Sequence, residues 1–390
     1  MSKPLIAPHG GTLVDRVLTG GARDAALARA QNLPRLELSE RSLADLECLA
    51  YGIYSPLEGF VSEADYTRVV REMRLANGTV WSVPVTLQVS EEAAAHYPAG
   101  GEIALTANGE ILAVMDVTDV YRPDQVLEAE GVYRTADPAH PGVAAVMAAG
   151  SVYLGGPVSL VNPLPKGEFD DHKFYPEATR EMFQEQGWGT IVAFQTRNPI
   201  HRAHEYITKV ALETVDGLFI NPLVGTTKSD DVPASVRMQC YHILIEKYYN
   251  RDRVLLGVYP AAMRYGGPRE AILHAVSRQN YGCTHLIVGR DHAGVGDYYG
   301  TYDAQRIFDE LQEGDLLITP MRFEHAFYCT RTGQMATPKT TSSGPDEHIQ
   351  LSGTKVRAML SAGQLPPPEF SRPEVAEVLI NAYRNAEAVK

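Results

Sequence analysis

Apolar residues recur along this chain in two rhythms, and the change between them falls near residue 165. From residue 190 onward, short continuous apolar runs stand at 191–194, 218–220, 254–258, 286–288 and 316–318. Between them lie stretches whose apolar residues return every three or four positions, at 200–214, 233–249, 268–280 and 301–311. Continuous runs mark strands buried on both faces, and the wider spacing marks amphipathic helices. Strict alternation of the two predicts a doubly wound α/β domain built on a parallel sheet. If its strands run in the order 3-2-1-4-5, the first and fourth are neighbours where the order reverses, and ligands sit beyond the strand ends there.

Before residue 165 the rhythm is mainly that of β structure. Residues 81–89 alternate apolar and polar, with Pro84 marking an edge or a bulge. Residues 102–105 and 111–115 flank Asn108-Gly109, a hairpin signature. A helix capped at Ser42, three residues before Asp45, precedes them. This predicts a small barrel with attached helices, in which Asp119 and Asp124 are turn residues. A Pro- and Gly-containing linker at 161–167 and a break after 322 divide the chain into 1–165, 166–322 and 323–390. The last part holds a helix capped at Ser352 or Thr354, three prolines at 366–368 and a final helix. Lys355 and Arg357 read there as solvated charges.

The densest chemistry follows the first apolar run: Gln195-Thr196-Arg197-Asn198-Pro199-Ile200-His201-Arg202-Ala203-His204. Pro199 suits the first position of a helix, and His201 and His204 fall one turn apart within it. A helix start offers unpaired N–H groups and partial positive charge to an anion. Arg197 is a bidentate partner for a tetrahedral oxyanion, and two imidazoles would make the place more cationic. The fourth run ends in Gly289-Arg290-Asp291-His292-Ala293-Gly294-Val295-Gly296, whose glycines permit close backbone approach. Arg290 either serves nucleotide phosphates or pairs with Asp291. Met263, Arg264 and Tyr265 either join the mouth of the site or pack as a loop on the sheet edge.

Composition narrows the partners. The 390 residues are 44% hydrophobic and 21% charged, with a formal net charge of -13. That balance is globular and opposes a protein that binds nucleic acid through its phosphates, while leaving room for a locally positive site. Four scattered cysteines make no disulfide framework, and neither a signal peptide nor a bilayer-spanning stretch is visible. The expectation is a cytoplasmic protein with no membrane partner.

The segments 195–204, 289–294 and 351–357, with Ser55-Pro56-Leu57-Glu58-Gly59-Phe60, resemble the ATP sulfurylase (sulfate adenylyltransferase) family over nearly the whole chain. The resemblance implies a PUA-like β-rich domain, an HxxH nucleotidyltransferase domain and a small α+β C-terminal domain. It implies conversion of ATP and sulfate, with Mg²⁺ on the nucleotide, to adenosine phosphosulfate and pyrophosphate, and a homodimer. By position, Gln195, Arg197 and the backbone of Ala293 would hold sulfate. Thr196, Arg197 and Asn198 would form the catalytic loop, and His201 and His204 would hold the ATP phosphates. Gly289, Arg290, Asp291 and His292 would contact the nucleotide.

Two departures from relatives stand out. A zinc site of the form Cys-x-x-Cys followed by Cys and His keeps only Cys329 here, with Thr332 and Thr341 at later positions, so no zinc is expected. No kinase phosphate-binding loop is present. Two other readings compete: an HxxH enzyme that adenylylates a phosphomonoester, and an RNA-binding module carried by the β-rich part. Gln195 and Arg197 oppose the first, and the acidic balance opposes the second.

Overall fold

Ile191, Val192, Ala193 and Phe194 are all buried because they form β1 (Ile191–Phe194), the central strand of a five-stranded sheet. The structure is a computed structural model describing residues 4–227, 231–349, 351 and 353–388. β2 (Gly217–Ile220), β3 (Val254–Leu256), β4 (His285–Val288) and β5 (Thr319–Arg322) complete the sheet in the order β3-β2-β1-β4-β5, every pair parallel. This is the 3-2-1-4-5 order taken above as a condition, and it makes β1 and β4 neighbours.

Period-two alternation divides the sheet between two cores. Ile191, Ala193, Phe219, Leu286 and Val288 point into one, which is continuous with the core of the N-terminal β structure. Val192, Phe194, Leu218, Ile220 and Ile287 point into the other. That second face is covered by α1 (Arg202–Leu212), α2 (Ala234–Tyr248) and two C-terminal helices, Gly353–Ser361 and Pro373–Ala388. α3 (Gly267–Asn280) is buried almost end to end on the first face.

Several boundaries differ from the sequence reading. β5 begins at Thr319 instead of 316, because the backbone N–H groups of Leu317 and Ile318 donate to the Gln279 side chain. The helix anticipated at 301–311 is a short α-turn, Asp303–Arg306, continued by the 3-10 turn Ile307–Glu310. The strand anticipated at 81–89 survives only as Leu87–Val89. Trp81 turns its indole N–H onto the Val83 carbonyl, and Val85 spends its carbonyl on Val61, so no ladder forms there. The early helix, Glu40–Ala50, is capped by Ser39, whose hydroxyl accepts from the N–H of Ser42.

Among the described residues the N-terminal part forms a seven-stranded mixed sheet whose hub is the strand Val152–Leu160. The Glu102–Ala107/Glu110–Asp116 hairpin turns through Asn108 and Gly109, both at positive φ (52° and 79°), as a two-residue primed turn requires. Asp124 caps the helix Gln125–Tyr133, while Asp119 begins the strand Asp119–Tyr121 instead of serving a turn. A three-stranded antiparallel sheet, Phe327–Cys329, Gln334–Ala336 and His348–Ile349, precedes the C-terminal helices. Ser352 lies outside the described residues. Among the described residues no helix is long and apolar enough to cross a membrane.

Candidate active site

The chain leaves β1 through a loop that delays the helix. Thr196 Oγ1 accepts from the N–H of Asn198, and its hydroxyl also meets the Asn198 carbonyl at 3.1 Å. That same carbonyl accepts the phenol of Tyr241 at 2.7 Å. With Pro199 as the first helical residue, Asn198 would be the cap and its carbonyl would receive the N–H of Arg202. Here Arg202 donates instead to the carbonyl of Phe370, at 3.0 Å. The helix therefore starts at Arg202 with His201 as its cap, and Pro199 stands outside it. One of the N–H groups expected to be free for an anion is consequently taken.

Beyond β4, the chain turns through Asp291 and Ala293, both left-handed (φ 52° and 58°). Left-handed non-glycine residues cluster where function holds them, and successive N–H groups in such turns make anion-binding concavities. Arg197 reaches across to this turn, donating from Nη2 to the Gly294 carbonyl at 3.0 Å. Its Nη1 pairs with Asp231 at 3.2 Å, and its guanidinium lies 4.9 Å from the centre of the Tyr265 ring. Tyr265 is itself left-handed (φ 60°). Glu270 holds it there from both sides, one carboxylate oxygen accepting from Arg264 N–H and the other from Gly266 N–H, each at 2.9 Å. Of the three mouth residues considered from sequence, Met263 lines the cavity and Tyr265 supports Arg197. Arg264 points away, into a buried ion pair with Asp45.

A cavity of about 680 Å³ separates the two strand ends. Gln195, Thr196, Arg197, Asn198, His201 and His204 line one side, and Gly289, Arg290, Asp291, His292 and Ala293 line the other. The structure thus brings the residues picked out in the two motifs, 195–204 and 289–293, to one place. A volume of this size accommodates a nucleotide-sized ligand. Arg290 does pair with Asp291, at 3.1 Å, both about half exposed at the rim. His292 commits Nε2 to the Nδ1 of His274, at 3.0 Å, leaving its other edge to the cavity.

The imidazoles are not the cations they were expected to be. Burial pushes His201 down to about 3, with His204 adding to the effect. Burial also pushes His204 to about 4, helped by His325 and Arg290. His292 is likewise held to about 3, chiefly by burial. All three are neutral donors and acceptors at neutral pH. His204 accepts the N–H of His201 at its Nδ1, a long contact of 3.4 Å, so its proton resides on Nε2. The arginines of the cavity are matched by Asp231, Asp291 and Glu324 in the same lining.

Sequence reasoning missed Asp231, His325 and the C-terminal contributors to the cavity, among them Val356, Leu360 and Phe370. Asp231 follows no motif, and the apolar three lie more than 150 residues beyond His204, so only folding reveals them. Where the zinc pattern would fall, Ser343 and Thr332 hold the Cys329 thiol down to about 7. His348 bonds Ser343 at 2.9 Å and stacks on Phe327 with ring centres 3.5 Å apart.

The chain is similar to known proteins over nearly its whole length. A family model described as ATP-sulfurylase matches residues 170–382, and one described as PUA-like domain matches 6–163. A sulfate adenylyltransferase from Nostoc punctiforme is 60% identical over 380 residues, covering 97% of each chain. A probable bifunctional SAT/APS kinase 2 from Sorangium cellulosum is 57% identical over 386 residues, covering 99% of this chain and 66% of its own. Among solved structures, the hexameric APS kinase from Thiobacillus denitrificans superposes with a TM-score of 0.78 at 26% identity, covering 97% of this chain and 69% of that one.

Proposed function

Because the chain belongs to the ATP sulfurylase family and is a sulfate adenylyltransferase by that kinship, we propose that it joins MgATP and sulfate by direct in-line displacement. A sulfate oxygen attacks the α-phosphorus, the bond from that phosphorus to the oxygen bridging to the β-phosphorus breaks, and pyrophosphate leaves with the electron pair. The products are adenosine 5′-phosphosulfate and pyrophosphate, and the same contacts serve the reverse direction.

Sulfate needs no deprotonation to attack, so no general base is required. The work is to align two anions and to stabilise charge in the transition state. We assign Gln195, Arg197 and the backbone of Ala293 to sulfate. Thr196, Arg197 and Asn198 form the catalytic loop between the substrates. His201 and His204 act as neutral hydrogen-bond donors to the ATP phosphates and to the departing pyrophosphate. Gly289, Arg290, Asp291 and His292 contact the nucleotide. Mg²⁺ bound with the triphosphate would supply positive charge that the neutral imidazoles do not. Such an ion would take most of its ligands from phosphate and water, with Asp291 at the rim of the lining able to complete its shell.

The observation that carries this reading is Arg197, reaching from the HxxH loop to the Gly294 carbonyl across the cavity. Residues 1–165, 166–322 and 323–390 are the units we assign to the PUA-like, catalytic and C-terminal parts, in a cytoplasmic homodimer without zinc. The test is pyrophosphate release from MgATP with and without sulfate. Release in the native protein should depend on sulfate, and Arg197→Ala should lose that dependence while remaining folded. Sulfate-independent release by the native protein would overturn the assignment.

A further inference from the structure

We propose that Ser371, in the C-terminal part of the chain, is a positioning residue for His201. Its hydroxyl donates to Nδ1 and fixes the imidazole in the tautomer that carries its proton on Nε2. The inference rests on the reading that His201 serves the ATP phosphates.

Ser371 Oγ lies 3.1 Å from His201 Nδ1, and the serine is fully buried. Among the described residues its hydroxyl has no other side-chain or backbone partner. That decides the direction of the bond. Were Nδ1 the donor, the hydroxyl proton would remain buried without an acceptor, which is costly. With the serine donating, both groups are satisfied, and Nε2 is left as the N–H of a ring that lines the cavity. His204 is set alike by the N–H of His201, so both rings of the HxxH pair present the same nitrogen.

The segment carrying Ser371 is held firmly enough to act as a template. Its Pro366-Pro367-Pro368 run restricts φ, and the N–H groups of Phe370 and Ser371 both return to the Pro367 carbonyl, at 2.8 and 3.1 Å. The Phe370 ring packs on His201 with centres 4.6 Å apart. The Phe370 carbonyl takes the N–H of Arg202, and the Pro368 carbonyl takes its guanidinium at 3.1 Å. Arg372 grips Glu205, one turn into the same helix, through two hydrogen bonds of 2.9 and 2.8 Å. A loop some 170 residues downstream therefore orients the first histidine of the motif and the start of its helix.

The experiment pairs a spectrum with kinetics. In the native protein at pH 7 without nucleotide, long-range proton–nitrogen NMR should show His201 neutral with its proton on Nε2. The His201 signal is assigned by its loss in His201→Gln. Ser371→Ala should mix the tautomers and lower kcat for sulfate-dependent pyrophosphate release on the order of tenfold to a hundredfold. The KM for sulfate should stay within about twofold, since Arg197 is untouched. Ser371→Thr, which keeps the hydroxyl, should restore both readouts. A His201 protonated on Nδ1 in the native protein overturns the proposal, even if Ser371→Ala fails to fold. So does a folded Ser371→Ala with unchanged tautomer and kcat. Absence of sulfate-dependent release in the native protein would instead overturn the reading of the reaction, leaving the tautomer result to decide the hydrogen bond.

Discussion

Asp231 sits on Arg197: the carboxylate is 3.2 Å from Nη1, with the two side chains only 11% and 18% exposed. The guanidinium proposed to receive sulfate is therefore already occupied on one edge by an internal anion and on the other by the Gly294 carbonyl. Sulfate must displace or share the carboxylate, and like-charge repulsion at that distance opposes sharing.

Removing that competitor should help the substrate. Asp231→Asn keeps the shape and abolishes the charge, so the KM for sulfate should fall by roughly threefold to tenfold, a gain of about 1 kcal/mol. Initial rates against sulfate concentration at saturating MgATP check this. A rise in KM would mean that Asp231 aims Arg197 instead of competing for it.

Tyr265 should matter through its ring and not its backbone. At φ 60° it occupies a conformation that glycine adopts without strain, and Glu270 secures the peptide groups on either side. Tyr265→Gly thus preserves the turn while removing the aromatic face beneath Arg197. Loss of a cation–π contact of about 0.5–2 kcal/mol should raise the KM for sulfate by roughly twofold to thirtyfold. Tyr265→Phe, which keeps the ring, should raise the KM for sulfate less than Tyr265→Gly in the same assay, and equal effects of the two substitutions would defeat this account.

The neutral histidines make stability depend on acid. His201, His204 and His292 titrate at about 3, 4 and 3 in the folded chain, against 6.5 when unperturbed. Folded values below the unfolded one mean that the stabilisation is complete above pH 6.5. As pH falls from there toward 4, the unfolded chain takes up protons that the folded chain refuses. Each ring then costs up to about 1.4 kcal/mol per pH unit. Urea midpoints at pH 7 and pH 5 should show a marked loss for the native protein and a smaller one for His204→Asn. Parallel losses in both would show that the ring is not held neutral.

Much of the architecture was written in local patterns. Continuous apolar runs alternating with helical spacing pointed to the parallel sheet, and the polarity of the ends of β1 and β4 pointed to the cavity once their adjacency was supposed; the strand order itself came from the structure. The Asn108-Gly109 turn was legible for the same reason, since only a few residues tolerate its backbone. Boundaries failed where a distant group took a backbone partner. Gln279 took the N–H groups before β5, and Tyr241 with Phe370 took the carbonyl and N–H that would have begun α1 at Pro199.

The residue types of the HxxH stretch were plain in the sequence, but their protonation was not. Charge on an imidazole depends on how much water surrounds it, and that is set by Phe370, Ser371 and the C-terminal helices packing over the site. Asp231 on Arg197, Tyr265 beneath it and Ser371 behind His201 all arrive from far along the chain. Local order declares which side chains can do chemistry; the tertiary fold alone decides what each is bonded to, and hence which atom it offers a ligand.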